Sequence, residues 1–300
     1  MSQYQRLFLI AGPTMRHSPA LQRAVAIAKA TGAALHIGVF IDGFDILGMM
    51  SRHEQLRERV QQENQQWLKD EADLMRTNGI NVTTEVVSTR NALPEILRHV
   101  TEMQPDLVIK DVHHESALKR VFMTPLDFHL LRECPVPIHL VSEIGFPLPR
   151  VVVAAVDPSS PDKRITGIND RIVMAANGLA MQCDAELHLL HAYDASQTHI
   201  SDAGAGAVTM PGFSSEVRRS LHKTFTALAD RYGIPSERQH FIEGPPTKAM
   251  AGFAAHSRAD VIVMGNAHRK GLSKLVGSTT EHVLYQVPCN VLAVNAQVDE

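Results

Sequence analysis

The sequence predicts an α/β protein built as two tandem, doubly wound, Rossmann-like domains, each around a five-stranded, mostly parallel sheet. Two observations predict it. The chain repeats its own pattern with an offset near half its length, and short apolar runs alternate with helical patterns in both copies. At 300 residues, length alone would allow one large domain or two. The repeat decides for two, residues 1–143 and 150–297, joined by a segment, 142–149, that carries two prolines and a glycine.

Each copy opens with Arg and an apolar strand, Arg6-Leu7-Phe8-Leu9-Ile10 and Arg150-Val151-Val152-Val153-Ala154. A Pro-bearing turn comes next, Gly12-Pro13-Thr14 or Asp157-Pro158-Ser159, and then an Ala-rich helix over residues 21–30 or 171–181. The next strands pair His36 with His188, an offset of 152 (188 − 36). Residues 51–77 form a strongly charged helix whose apolar side is Leu56, Val60, Trp67, Leu68, Ala72 and Leu74, with Trp67 as a core anchor. Asp106-Leu107-Val108-Ile109 matches Asp260-Val261-Ile262-Val263 at an offset of 154 (260 − 106), kept by His114 and His268. His129 with His282 and Pro135 with Pro288 return to 153 (288 − 135), so one residue is missing from the second copy between about Leu272 and His282. Runs of four to six apolar residues without alternation are the pattern of parallel strands covered on both faces. Residues 196–213, rich in Gly, Ala, Ser and Thr, read as a mobile loop. The last strands of the copies, 138–142 and 291–295, are sheet edges able to pair with each other, which predicts an intramolecular pseudo-dimer and leaves room for homodimerisation.

Composition excludes several classes. With 44% hydrophobic and 20% charged residues, disorder and collagen-like structure drop out. A formal charge of -3 gives no basis for nucleic acid or an anionic membrane as partner. No apolar stretch approaches the roughly 20 residues of a membrane span, and the short N-terminal apolar run reads as a strand rather than a signal segment. Cys134, Cys183 and Cys289 are too few and too scattered for a disulfide framework, and read as buried, inert thiols. These features set the expectation of a cytoplasmic protein.

One loop carries chemistry. After its fourth strand the second copy reads Met264-Gly265-Asn266-Ala267-His268-Arg269-Lys270-Gly271-Leu272-Ser273-Lys274-Leu275-Val276-Gly277-Ser278-Thr279. In an open α/β sheet, ligands bind beyond the carboxyl ends of the strands, where this loop starts. Gly265 lets backbone approach a ligand, Gly277-Ser278-Thr279 opens a helix whose free N–H groups favour an anion, and Arg269, Lys270 and Lys274 add positive potential. The same residues also fit a helix capping box, Ser278-Thr279-Thr280-Glu281. Asp157, ending the first strand of this copy, is placed either to accept hydrogen bonds from a ribose or an adenine amino group, or to serve as a turn residue.

These strand ends and the Gly-Ser after a basic loop resemble the universal stress protein family, over nearly the whole chain and at the length of its tandem-domain members. Members that bind ATP carry G-x2-G-x9-G-[S/T] in this loop and an Asp at the end of the first strand. The resemblance assigns nucleotide contacts to Asp157, Met264, Gly265, Gly277, Ser278 and Thr279, and a backbone adenine contact to Ala192. His268 stands at the second glycine, and eight residues rather than nine separate it from Gly277. The resemblance implies ATP, with its Mg²⁺, in the second domain only. In the first copy Asp111 replaces the first glycine, His114 the second, and Thr124-Pro125 stands where Gly277-Ser278 does. Pro125 lacks an N–H for a phosphate, and Asp111 would repel one.

Other constellations fail on spacing. His113-His114-Glu115 puts neighbouring side chains where one ion cannot use both. His36-Ile37-Gly38-Val39 lacks the final histidine of a nucleotidyl-transfer signature and lies in a strand. No nucleophile elbow, Walker lysine loop or carboxylate pair supplies a catalytic centre. The expected function is therefore non-catalytic: a stress-response protein binding an adenine nucleotide or another small molecule. The alternatives are a slow ATP hydrolase, with His268 its one candidate base, and a binder of a different small molecule with nucleotide in neither half.

Overall fold

A computed structural model of the chain describes residues 4–14, 16–42, 54–112, 126–142, 145–158, 167–194, 213–266, 283 and 286–295. The first half contributes strands β1 (Arg6–Ala11), β2 (Ala34–Asp42), β3 (Val82–Thr89), β4 (Leu107–Asp111) and β5 (Ile138–Val141). The second contributes β6 (Val151–Ala155), β7 (Glu186–Tyr193), β8 (Gln239–Glu243), β9 (Val261–Asn266) and β10 (Asn290–Asn295). They form one sheet in the order β3-β2-β1-β4-β5-β10-β9-β6-β7-β8. Within each half all pairings are parallel, and the halves meet where β5 and β10 run antiparallel, Leu140 opposite Val291 and Ile138 opposite Ala293. The two five-stranded sheets are thus halves of a single ten-stranded one, and the joint consumes an edge of each.

Helices cover both faces. On one lie α1 (Pro19–Thr31), α2 (Glu54–Thr77), α5 (Ile168–Cys183) and α6 (Phe213–Arg231), packed on a core that includes Ile27, Leu68, Leu179 and Phe225. On the other lie α3 (Ala92–Met103), α4 (Leu126–Glu133) and α7 (Pro246–Ser257), over Ile96, Leu130, Met250 and Ala254. Both cores run across the joint, which is why strands such as β4 and β9 are buried over nearly their whole length and read as continuous apolar runs. Helices α1 and α5, equivalent in the repeat, pack against each other above the joint.

Local chemistry explains the boundaries. Ser18 caps α1 by accepting the Leu21 amide at 3.1 Å, Pro19 takes the first turn, and Gly32 closes the helix at φ 71. Both helices above the joint extend past the ranges expected from sequence, to 19–31 and 168–183. In α2, Trp67, Leu68 and Ala72 are buried as expected, but Leu74 is 60% exposed and Met75 takes the core position. One residue turns a helix by about 100°, and the buried line through Asn64, Leu68, Ala72 and Met75 leaves Leu74 off the face. His36 sits inside β2, so the apparent nucleotidyl-transfer motif is strand sequence.

A repeated carboxylate anchors the first strand of each half. Asp106 Oδ2 accepts the amides of Gln5 and Arg6 at 2.9 and 2.8 Å, and Asp260 Oδ2 accepts those of Arg150 and Val151 at 2.7 and 3.1 Å. The three cysteines are buried free thiols, and burial pushes them up, to about 11 for Cys134 and Cys183 and about 12 for Cys289. That makes them poor nucleophiles. Among the described residues no helix is long and apolar enough to cross a membrane.

Candidate functional site

The carboxyl ends of β6, β7 and β9 line one edge of the second half, and they hold the sequence-assigned residues Asp157, Ala192, Met264 and Gly265. Asp157 lies just beyond β6 and is exposed. Its backbone is held twice by Asn169 in the first turn of α5: the Asp157 amide donates to Asn169 Oδ1 at 2.9 Å, and Asn169 Nδ2 donates to the Asp157 carbonyl at 2.8 Å. No sequence motif marks Asn169. Its neighbour Asp170 accepts from Tyr232 Oη at 2.7 Å and from Arg231, tying the start of α5 to the end of α6.

Gly265 has a packing reason to be glycine. A Cβ there would lie 2.8 Å from Ile168 Cγ1 and 3.2 Å from Ile172 Cδ1, so α5 can rest on β9 only because the side chain is absent. The glycine serves close helix–strand contact. Met264 is buried on the opposite face. Ala192 lies in register with Ile242 and is half-buried. Beside it, Tyr193 Oη donates to Glu243 Oε2 at 2.7 Å, and burial, then this bond, raises the phenol. His191, 2% exposed, makes a 2.9 Å bond through Nδ1 to the Val156 carbonyl, which calls for the tautomer with the proton on Nδ1. Burial lowers its imidazole, with the bond to Val156 and the charge of Asp157 opposing the shift.

The two copies differ at the helix that abuts this edge. In the first, Asp111 stands where Gly265 does, and its Oδ1 accepts the Ala20 amide at 2.9 Å in the first turn of α1. With Ser18 on the Leu21 amide, that N-terminus is served by a hydroxyl and a carboxylate of the chain itself. Lys110, in the place of Met264, is buried and paired with Asp127 at 2.6 Å. In the second copy the N-cap of α5 is Gly167, at φ 84 and with no side-chain capping bond. By the repeat Ala20 corresponds to Ile172, so α5 begins about one turn earlier than α1, and its N-cap Gly167 has no side chain with which to cap it.

His268, Gly277, Ser278 and Thr279 lie outside the described residues, as do Thr124, Pro125, His282, the cluster 113–115 and the loop 195–212. His129 is described: it is half-exposed and meets Glu133 at 3.4 Å one turn along α4. Among the described residues no group of three or more His, Cys, Asp or Glu could hold a metal ion.

The fold and this edge define a class: a doubly wound α/β protein duplicated in tandem and paired through its own terminal strands. The model of the universal stress protein family matches residues 4–142 and again 149–295, and the chain belongs to that family. It is 27% identical over 305 residues to universal stress protein E of Escherichia coli K12, covering 98% of this chain and 95% of that protein. The corresponding Photorhabdus laumondii protein is 28% identical over 306 residues, with 98% and 96% covered. Among solved structures, a functionally unknown protein of Pseudomonas aeruginosa PAO1 superposes at a TM-score of 0.74, with 25% identity and 98% and 94% of the chains covered. A universal stress protein of Archaeoglobus fulgidus shares the fold at 0.66 and 17% identity, over 98% and 99% of the chains.

Proposed function

We propose that this protein is a non-catalytic stress-response module whose second half binds an adenine nucleotide, ATP with its Mg²⁺, while its first half does not. The observation that carries the reading is the contrast between Asp111, whose carboxylate serves the start of α1, and Gly265, which puts no side chain at the equivalent strand end. Asp157, fixed by Asn169, is placed to accept from the ribose or the base amino group. The backbone of Ala192 would meet the adenine, and Gly277, Ser278 and Thr279 the phosphates. His268 would stand where family members carry glycine. A cytoplasmic setting and a role in stress survival accompany family membership.

Mass spectrometry of protein released from native purification, followed by calorimetry with ATP and Mg²⁺, tests the reading. A co-purified adenine nucleotide, or a heat of binding that Gly277→Trp abolishes, is the expected result. Silence in both measurements, or binding indifferent to Gly277→Trp, overturns it.

A further inference from the structure

We infer that Asn266 is a positioning residue through which the first half of the chain holds the ligand-binding edge of the second. The inference rests on the nucleotide reading above. Asn266 ends β9, directly after Gly265, and is 1% exposed. Its Nδ2 crosses the joint to donate to the carbonyl of Leu131 in the last turn of α4. Asn295, opposite it on β10, donates from Nδ2 to the carbonyl of Cys134, and the two amides meet at 3.3 Å.

A helix leaves its last carbonyls without partners inside itself. The end of α4 therefore receives its capping donors from the other half of the molecule. The Asn266 side chain has no counterpart in the first half, although Ser142 donates its own amide across the joint to Asn290 Oδ1 at 2.9 Å. By the repeat, Val112 corresponds to Asn266 and Ser142 to Asn295, and a valine side chain has nothing to donate. The first half supports the strand end of the second through a contact that it does not receive in return at that position.

The route continues to the site. Side chains alternate across a strand, so Asn266 faces α4 while Gly265 faces Ile168 of α5. The next residue of α5, Asn169, holds the backbone of Asp157. From Leu131 to Asp157 the contacts are contiguous, buried at Asn266 and Ile168 and exposed at the bonds between Asn169 and Asp157, and coupling along them is what the exchange experiment reads. A first half that has filled its own anion seat with Asp111 is thereby retained as the scaffold of its sibling's site.

The test uses the full chain with ATP and Mg²⁺ as probe. In the parent protein, ATP should slow amide exchange at residues 131–134 of the first half as well as at the second-half edge. Asn266→Val, which installs the residue of the first half, should weaken ATP by about 2- to 30-fold and abolish the protection at 131–134. Asn266→Gln, which keeps an amide donor, should restore part of both. A loss of general stability alone would lower the unfolding midpoint without removing that ligand-dependent protection. Should Asn266→Val not fold, Asn295→Ser serves the same purpose at the neighbouring contact. Unchanged affinity with unchanged protection at 131–134 overturns the inference and leaves nucleotide binding standing. Failure of the parent protein to bind ATP overturns both.

Discussion

Asp111 Oδ1 lies 2.9 Å from the amide nitrogen of Ala20, so a carboxylate from the end of β4 occupies the start of α1. The acid read from sequence as hostile to phosphate also has a structural role, accepting an amide of the helix start. Asp111 is 2% exposed, and removing it would strand a buried amide. Asp111→Ala should destabilise the protein by about 1–2 kcal/mol, read as a lower denaturant midpoint at unchanged slope. An unaltered midpoint would show that the cap contributes nothing.

Gly265 should tolerate no side chain. Gly265→Ala brings a methyl group to 2.8 Å from Ile168 Cγ1, closer than packed carbons allow, and overpacking of this kind costs about 1–3 kcal/mol. Shortening the neighbour should relieve it: Gly265→Ala with Ile168→Ala is expected to lose less stability than the two single changes predict together. Strict additivity in that double-mutant cycle would remove the packing account of this glycine.

Arg23 should be a liability. It lies fully buried on α1, near the joint, and among the described residues none of its three guanidinium nitrogens has a hydrogen-bond partner. Burial lowers its ionisation, with the charge of Asp260 the main opposing effect. A buried cation without a paired anion is worth less than a hydrophobic residue of similar reach. Arg23→Met should therefore raise stability by about 1 kcal/mol or more, seen as a higher Tm. A lower Tm would mean that the guanidinium has a partner of its own.

His139 should make the joint acid-sensitive. Burial, and secondarily the charge of Arg23, pushes its imidazole down to about 3, against an ordinary value of 6.5. Its Nδ1 is bonded to the Val291 carbonyl across the joint at 3.3 Å, as a neutral ring allows. A depressed folded value means that the unfolded chain takes up the proton first. The stability this ring contributes is complete above about pH 6.5 and falls by up to about 1.4 kcal/mol per pH unit between 6.5 and 3. Urea midpoints measured from pH 7 to pH 4 should fall less steeply in His139→Gln than in the parent protein. Parallel slopes would exclude this ring as a source of the acid sensitivity.

The repeat and the strands were legible because each is written locally: apolar runs, Pro-bearing turns and matched landmarks such as Asp106 and Asp260 need no tertiary knowledge. The pairing of β5 with β10 was legible too, since both are terminal edges with nothing else to cover them. What escaped depends on contacts between residues far apart in the chain. Leu74 fits an apolar stripe until the angle of α2 on the sheet is fixed. The packing role of Gly265, which makes room for Ile168, needs the position of α5 to be seen. Asn169 and Asn266 carry no local pattern, because their partners are the backbone of Asp157 and a carbonyl in the other half. At the candidate site the first-strand acid and the strand-end glycine could be read in advance, and the groups that hold them in place could not.

The antiparallel pairing of β5 and β10 also alters the mass action of the molecule. Two separate chains joined edge to edge would part on dilution, whereas halves tethered in one chain associate by a first-order step at an effective concentration set by the linker. The joint should survive at any expression level. Sharing one polypeptide also fixes the ratio of the two copies at one to one, so the half proposed to lack the ligand is always present beside the half proposed to take it.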